Sequence, residues 1–231
     1  MAEVSTFRDL FRHDDWARDR LFDAAASLSD GQLDREFPLG MGSLRKTMIH
    51  IHEAMYWWTG ICVGNEDLPE PPQDEPLPSL RTRWLDTARD RDAVLTESQK
   101  RGALGTTKYT DRRASARTCA VGDILLHVYN HGVYHRAQAV NMLRHLGVKP
   151  PKLDYIFMHF ENASPTPPAL SMQVVRRYYQ YTDWIRPRVL DVAAKLDDAS
   201  LDRNFEMGMG TIRLTLSHTL DAERWWLGNW T

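Results

Sequence analysis

The chain has 231 residues, of which 42% are hydrophobic and 26% charged, with a formal net charge of −2 and a sequence pI near 6.5. This composition is typical of a globular protein with room for one domain and part of another. Positive and negative residues are mixed along the chain, so no basic stripe is available to neutralise phosphates, which argues against nucleic-acid binding.

The N-terminal region and the cysteines indicate the compartment. The first 20 residues are charged and lack the apolar core of a signal peptide, and no run of about 18 apolar residues occurs anywhere. Cys62 and Cys119 are the only cysteines, and in a chain of this size two cysteines are more typical of free thiols than of a disulfide framework. We therefore expect a cytoplasmic protein with no membrane partner.

Two helices are predicted at the start of the chain. The first covers residues 5–28, with Ser5 or Thr6 as N-cap and an apolar stripe along one face. Residues 31–42 contain Pro38, Gly40 and Gly42 and form a connector, and Ser43 then caps a second helix over residues 43–62.

A long loop follows, which is rich in proline and acidic residues. Such a sequence cannot enter a helix interior, and its length suits a crossover between two helices that run in the same direction. The third helix is predicted over residues 80–102, and a polar stretch through residues 108–117 leads into the fourth. The predicted class is all-α, a four-helix bundle with a long crossover between helices two and three.

The fourth helix, residues 123–145, carries His127, His131 and His135 at every fourth position. Residues four apart are neighbours on one helix face, so two adjacent histidines can bind the same metal ion. All three cannot, because His127 and His135 lie roughly 12 Å apart along the axis. A further ligand is therefore expected from another helix.

An internal repeat indicates which residue this is. From Phe7 to Trp58, 23 of 52 positions are identical, without a gap, to the segment from Val175 to Trp226. His50 matches His218, whereas His52 matches Leu220. A position that accepts leucine in the copy is better suited to packing, so His50 is the predicted further ligand.

The second copy is incomplete, because residues 172–196 repeat helix one and residues 211–230 repeat helix two, without an HxxxH helix. We interpret residues 1–160 as a bundle, 161–171 as a linker and 172–231 as a half-bundle. Two amphipathic helices cannot bury their apolar stripes alone. The half-bundle either docks on its own first domain, pairs with a second protomer or belongs to a longer chain; we favour a homodimer, since identical helix pairs can complete one bundle.

The region of residues 5–160 resembles a known family. Residues 43–50 with the later Trp57, the His131–Gln138 segment HGVYHRAQ and the Leu153–Phe157 segment LDYIF are similar to the DinB/YfiT-like family of metal-binding four-helix bundles. Ala137 stands where members often have glycine. The resemblance implies a divalent metal held by His50, His131 and His135. It also implies an activity of broad class: some members are thiol-dependent transferases or isomerases that use low-molecular-weight thiols, and others are presumed hydrolases.

We therefore predict a metal-dependent transferase or hydrolase that acts on a small molecule, with zinc or nickel activating a thiol or water. The alternative is a non-catalytic metal-binding or dimerisation module. No catalytic residue is predicted. Arg136 is expected to point to an acidic partner or to substrate. His127 is expected either to pack or to support a metal ligand, and the Trp57-Trp58 pair is expected to pack in the core rather than line a substrate pocket. Candidate residues for orienting the ligands are Glu53, Asn130, Tyr134 and Gln138.

Overall fold

The computed structural model describes residues 2–111, 113–161 and 170–230. Within these ranges the chain is mostly helical, which confirms the predicted helical class. The elements, in chain order, are α1 (Ala2–Ala25), α2 (Asp30–Leu33), α3 (Leu44–Cys62), α4 (Leu77–Arg101), β1 (Thr106–Thr110), β2 (Ala116–Ala120), α5 (Val121–His145), α6 (Tyr155–Glu161), α7 (Met172–Ala193), α8 (Asp198–Leu201) and α9 (Ile212–Trp230).

Four long helices, α1, α3, α4 and α5, form the bundle. Helix α1 packs against both α4 and α5, and α3 packs against the same two helices. The repeated helices α1 and α3 therefore lie at opposite corners of the bundle. Their apolar stripes meet those of α4 and α5 in a continuous core, which includes Phe7, Phe11, Leu21, Met48, Ile49, Trp84, Leu95, Ile124 and Met142.

Three local predictions need correction. Helix α1 begins at Ala2, so neither Ser5 nor Thr6 is its N-cap; Thr6 is instead buried and its hydroxyl accepts a hydrogen bond from the backbone of Ser171. Helix α4 begins at Leu77 rather than at residue 80, because proline has no N–H to lose in a first helical turn and Pro78 is therefore tolerated there.

The third correction concerns the polar stretch before the last bundle helix. It forms an antiparallel hairpin, in which Thr107 pairs with Cys119 and Tyr109 with Arg117. Threonines and a tyrosine that alternate with polar residues favour a strand with one covered face, and the burial of β1 alternates accordingly. The hydroxyl of Thr107 also donates to the carbonyl of Ile61 at 2.8 Å, which ties the hairpin to the end of α3.

The chain divides into two compact units, Met1–Val175 and Arg176–Thr231. The predicted domain boundaries stay a prediction, and residues 162–169 of the predicted linker lie outside the described residues. No helix in the described part of the chain has the length and apolar character needed to cross a bilayer.

Substitution of His52 by leucine, the residue at the matching position of the repeat, is expected to reduce the acid sensitivity of folding. Burial lowers the pKa of His52 from 6.5 to about 4, so the unfolded chain binds an extra proton between these pH values, and the folded protein loses stability as the pH falls through this window. We expect wild type to lose about 2–3 kcal/mol more than His52→Leu between about pH 7.5 and about pH 4.5.

Urea denaturation with a chelator present, at both pH values, measures this difference. Equal losses of unfolding free energy in the two proteins would contradict the prediction. The hydrogen bond between the His52 ring and Thr87 is absent in the variant at every pH. Its loss therefore changes the unfolding free energy of the variant by the same amount at both pH values and leaves the difference between them unaffected.

Candidate metal centre

Three histidines from two bundle helices meet at one point. His131 and His135 lie one turn apart on α5, and His50 faces them from α3. The ring centroids are 4.9 Å apart for His50 and His131, 4.7 Å for His50 and His135, and 4.4 Å for His131 and His135. One nitrogen from each ring lies within 4.8 Å of the other two. The close packing of α3 on α5 is therefore what assembles the cluster.

The chemistry of the cluster fits a divalent metal. Burial, followed by the neighbouring histidines His135, His50 and His127, lowers the pKa of His131 to about 3. Burial also lowers the pKa of His135, against the opposing effect of its hydrogen bond to Gln138. Both rings are therefore neutral at pH 7, which is the form that binds metal ions. Three neutral imidazoles leave a coordination position open for water or substrate.

Side-chain oxygens lie beside two of the three rings. His135 donates its Nδ1–H to Gln138 Oε1 at 2.7 Å, which leaves Nε2 of His135 as the nitrogen available to a metal. Glu53 Oε2 lies 3.7 Å from His50 Nδ1, and the amide of Gln73 in the crossover loop donates to the other oxygen of Glu53. Nδ1 of His131 is buried and has no hydrogen-bond partner among the described residues. The orienting role predicted for Glu53 and Gln138 stays a prediction; the contact of Gln73 with Glu53 was not predicted, because nothing in the loop sequence marks it.

The remaining histidines of these helices lie outside the cluster. The His127 ring packs edge-on against Trp58, with centroids 5.2 Å apart. His52 points to α4, where its Nε2 hydrogen-bonds to Thr87 at 3.0 Å. The position of His52 agrees with its packing interpretation. The His127 ring also lies 5.6 Å from that of His131, measured between centroids, so both interpretations of His127 stay predictions. That His50, His131 and His135 bind a metal stays a prediction.

Tyr134, another predicted orienting residue, is 60% exposed, and its ring packs edge-on against that of His135. Asn130 has interactions of its own. The orienting roles predicted for these two residues stay predictions.

Arg136, next to His135, forms a buried ion pair with Asp14 of α1. This agrees with the first of its two expected partners, an acidic residue. Gly132 allows the pair to form, because a Cβ at that position would lie 2.8 Å from Arg136 Nη1 and 2.9 Å from Asp14 Oδ1. The sequence could not identify Asp14 as the partner, since the two residues are 122 positions apart.

The turn formed by Gly40, Met41 and Gly42 supports the cluster from outside. Gly40 has φ +58°, and a Cβ there would lie 2.5 Å from Oε1 of Gln138, the oxygen that holds His135. The matching Gly208 has nearly the same backbone conformation, φ +50°, but nothing lies within 4 Å of its Cβ direction. Both glycines thus adopt a positive φ, which favours glycine, but only at Gly40 would a side chain also collide with Gln138.

We expect Gly40→Ala to weaken metal binding by about 10–100-fold, the usual cost of disturbing a group that orients a ligand. The added methyl displaces Gln138 and frees the His135 ring to rotate. Gly208→Ala introduces the same backbone strain without this displacement and is expected to leave the affinity unchanged. Competition titration against a chromophoric chelator measures both variants, and an equal loss of affinity in the two would contradict the role of Gly40.

The chain was compared with protein families, curated proteins and solved structures. The model of the DinB family matches residues 1–167 and, separately, residues 171–231. A crystal structure of a DinB family member protein from Shewanella denitrificans is 16% identical, with 67% of this chain and 86% of that chain covered at a TM-score of 0.44. No curated protein matched the chain.

Proposed function

Because the chain belongs to the DinB family, we propose that it is a metal-dependent enzyme of the thiol-dependent transferase or hydrolase kind. The observation that carries the proposal is the convergence of His50, His131 and His135 from α3 and α5, with one nitrogen of each within 4.8 Å of the others. A divalent ion held there would supply Lewis acidity and activate a water or a thiol for attack.

The side chains around the cluster fulfil distinct tasks in this proposal. Gln138 holds His135 in one tautomer, and Glu53, itself held by Gln73, provides a negative charge beside His50. Burial keeps His131 neutral. The His135 ring is therefore oriented before a metal binds, which lowers the cost of assembling the site.

Zinc and nickel are the proposed metals, because both suit imidazole ligands. A low-molecular-weight thiol is the proposed cosubstrate for the transferase reaction and a small molecule the proposed substrate. We further propose a homodimer in the cytoplasm. The resemblance to thiol-using members supports the transferase reaction, and the position left open by three imidazoles supports either reaction.

The test is a panel of thiol-transfer and hydrolase substrates, assayed with metal-loaded wild type and with His131→Ala. We expect turnover in wild type and its loss, without loss of helical content, in the variant. Metal binding without turnover in any reaction of the panel would instead support a non-catalytic metal-binding module.

A further inference from the structure

The second unit exposes far more apolar surface than a solvated helix pair usually does. Of the twenty large hydrophobic side chains that are exposed in the described ranges, thirteen belong to this unit, which begins at Arg176. They come from both long helices and include Tyr179, Trp184, Val189, Leu190, Leu220, Trp225, Trp226 and Leu227. Exposed apolar side chains in this number indicate an interaction site.

The repeat shows how the equivalent surface is covered in the first unit. Leu190 is 48% exposed, whereas Phe22 at the matching position of α1 is 3% exposed and packs on Trp84 of α4. Leu220 is 56% exposed, whereas His52 at the matching position of α3 is 1% exposed. In the first unit both positions are covered by α4, and α5 also packs on α1 and α3, so the open face of α7 and α9 is one that two further helices would cover.

The half-repeat keeps the contacts that connect its last helix, α9, to α8 and to the turn before α9. Arg213 pairs with Asp198 and Asp202 at 2.6 and 2.7 Å, as Arg45 pairs with Asp30 and Asp34 at 2.5 and 2.7 Å. The turn between the helices also closes in the same way, with a backbone hydrogen bond from Phe205 to Gly210 that matches the bond from Phe37 to Gly42. Helices α7 and α9 are therefore expected at the same two opposite corners that α1 and α3 occupy.

The polar residues through which α1 and α3 contact α4 and α5 are not kept in the second unit. In the first unit Asp14 pairs with Arg136 of α5, His13 lies 3.1 Å from the Tyr129 hydroxyl of α5, and His52 bonds to Thr87 of α4. The second unit has Thr182, Tyr181 and Leu220 at the three matching positions. A helix pair like α4 and α5 would find none of these three partners there, so the face is suited to a different and more apolar occupant.

One further change adds an ion pair to this face. Glu223 stands where α3 has Met55, and it accepts hydrogen bonds from Arg186 at 2.7 and 2.9 Å. The pair links α7 to α9 and neutralises both charges within one chain. Two copies of the face can therefore approach each other without repulsion at this pair.

We propose that the open face of α7 and α9 binds the same face of a second chain, so that the two half-repeats form one intermolecular four-helix bundle. Two helices at opposite corners leave the other two corners open, and a two-fold axis perpendicular to the bundle axis carries each pair onto the open corners of the other. Each α7 then lies between the partner's α7 and α9, much as α1 lies between α4 and α5.

The amount of surface suits a stable dimer. Covering the exposed apolar side chains of the second unit would bury on the order of 1,000 Å² per chain, compared with about 800 Å² per partner in a standard interface. The inference rests on the proposed homodimer and specifies where its two chains meet. It does not depend on the metal site, which lies entirely in the first unit.

The test uses light scattering on the full chain, together with two charged variants of the face. Wild type is expected at twice the chain mass of 26.7 kDa. The double variant Leu190→Asp/Leu220→Asp and the double variant Leu190→Lys/Leu220→Lys are each expected at the mass of one chain. Mixing them is expected to restore the dimer, because opposite charges then meet across the interface. Leu85→Asp, at an exposed position of α4, should leave wild-type association unchanged.

The possible results distinguish the proposal of a homodimer from the proposal that α7 and α9 form its interface. Wild type at the mass of one chain would overturn both the homodimer and the proposed surface. Wild type and both charged variants at twice the chain mass would keep the homodimer and overturn the surface. Two variants that keep the helical content of wild type by circular dichroism and remain single chains after mixing would also overturn the surface.

Discussion

Replacement of His135 by alanine is expected to abolish stoichiometric metal binding. Wild type purified without chelator or affinity nickel should carry about one equivalent of zinc or nickel per chain, because three imidazoles form an open site for either metal. In His135→Ala only two of the three clustered rings remain, and the loss of affinity should exceed the roughly 10–100-fold typical of a lost orienting group. Elemental mass spectrometry of the two proteins, prepared side by side, measures the change.

Two matched substitutions show whether the loss is specific. His127→Ala removes a ring that packs on Trp58, and His218→Ala removes the repeat counterpart of His50, which is exposed and belongs to no histidine cluster within the described residues. Both variants should keep the metal. Retention of the metal by His135→Ala would contradict the ligand set. A wild-type protein that carries no metal and takes up none on titration would contradict the proposed enzyme as well.

The second large effect is expected at the buried ion pair beside the cluster. The side chains of Arg136 and Asp14 are 3% and 5% exposed, and Nη2 of Arg136 has no further partner among the described residues. Asp14→Ala leaves the guanidinium buried without its carboxylate, which typically costs about 3–5 kcal/mol. Urea denaturation of the metal-free protein should show a loss of unfolding free energy in this range.

A surface ion pair provides the comparison. Asp30 is 86% exposed and shares Arg45 with Asp34, so Asp30→Ala should cost less than about 1 kcal/mol. Similar losses for Asp14→Ala and Asp30→Ala would show that the Asp14 pair is hydrated rather than buried. A double substitution of Asp14 and Arg136 by apolar residues is expected to recover part of the stability, because no unpaired charge then remains in the core.

The helical class, the bundle helices and the internal repeat were predictable because each depends on residues close together in the sequence or on direct sequence identity. The periodicity of apolar residues predicts an amphipathic helix whatever packs against it. The hairpin of residues 106–120 was missed, because its short strands carry a weak local signal and are stabilised by pairing with each other and by contact with the end of α3. Strand propensity depends strongly on such context.

For the candidate site, the sequence by itself determined that His131 and His135 share one helix face and that His50 rather than His52 recurs in the copy. Both inferences follow from the helical repeat and from the duplication. Only the tertiary structure decided that Gln73 reaches Glu53, that Gly40 lies against Gln138 and that Asp14 neutralises Arg136. These contacts join residues from different elements, and no periodicity connects them; the packing of α3, α5 and α1 does.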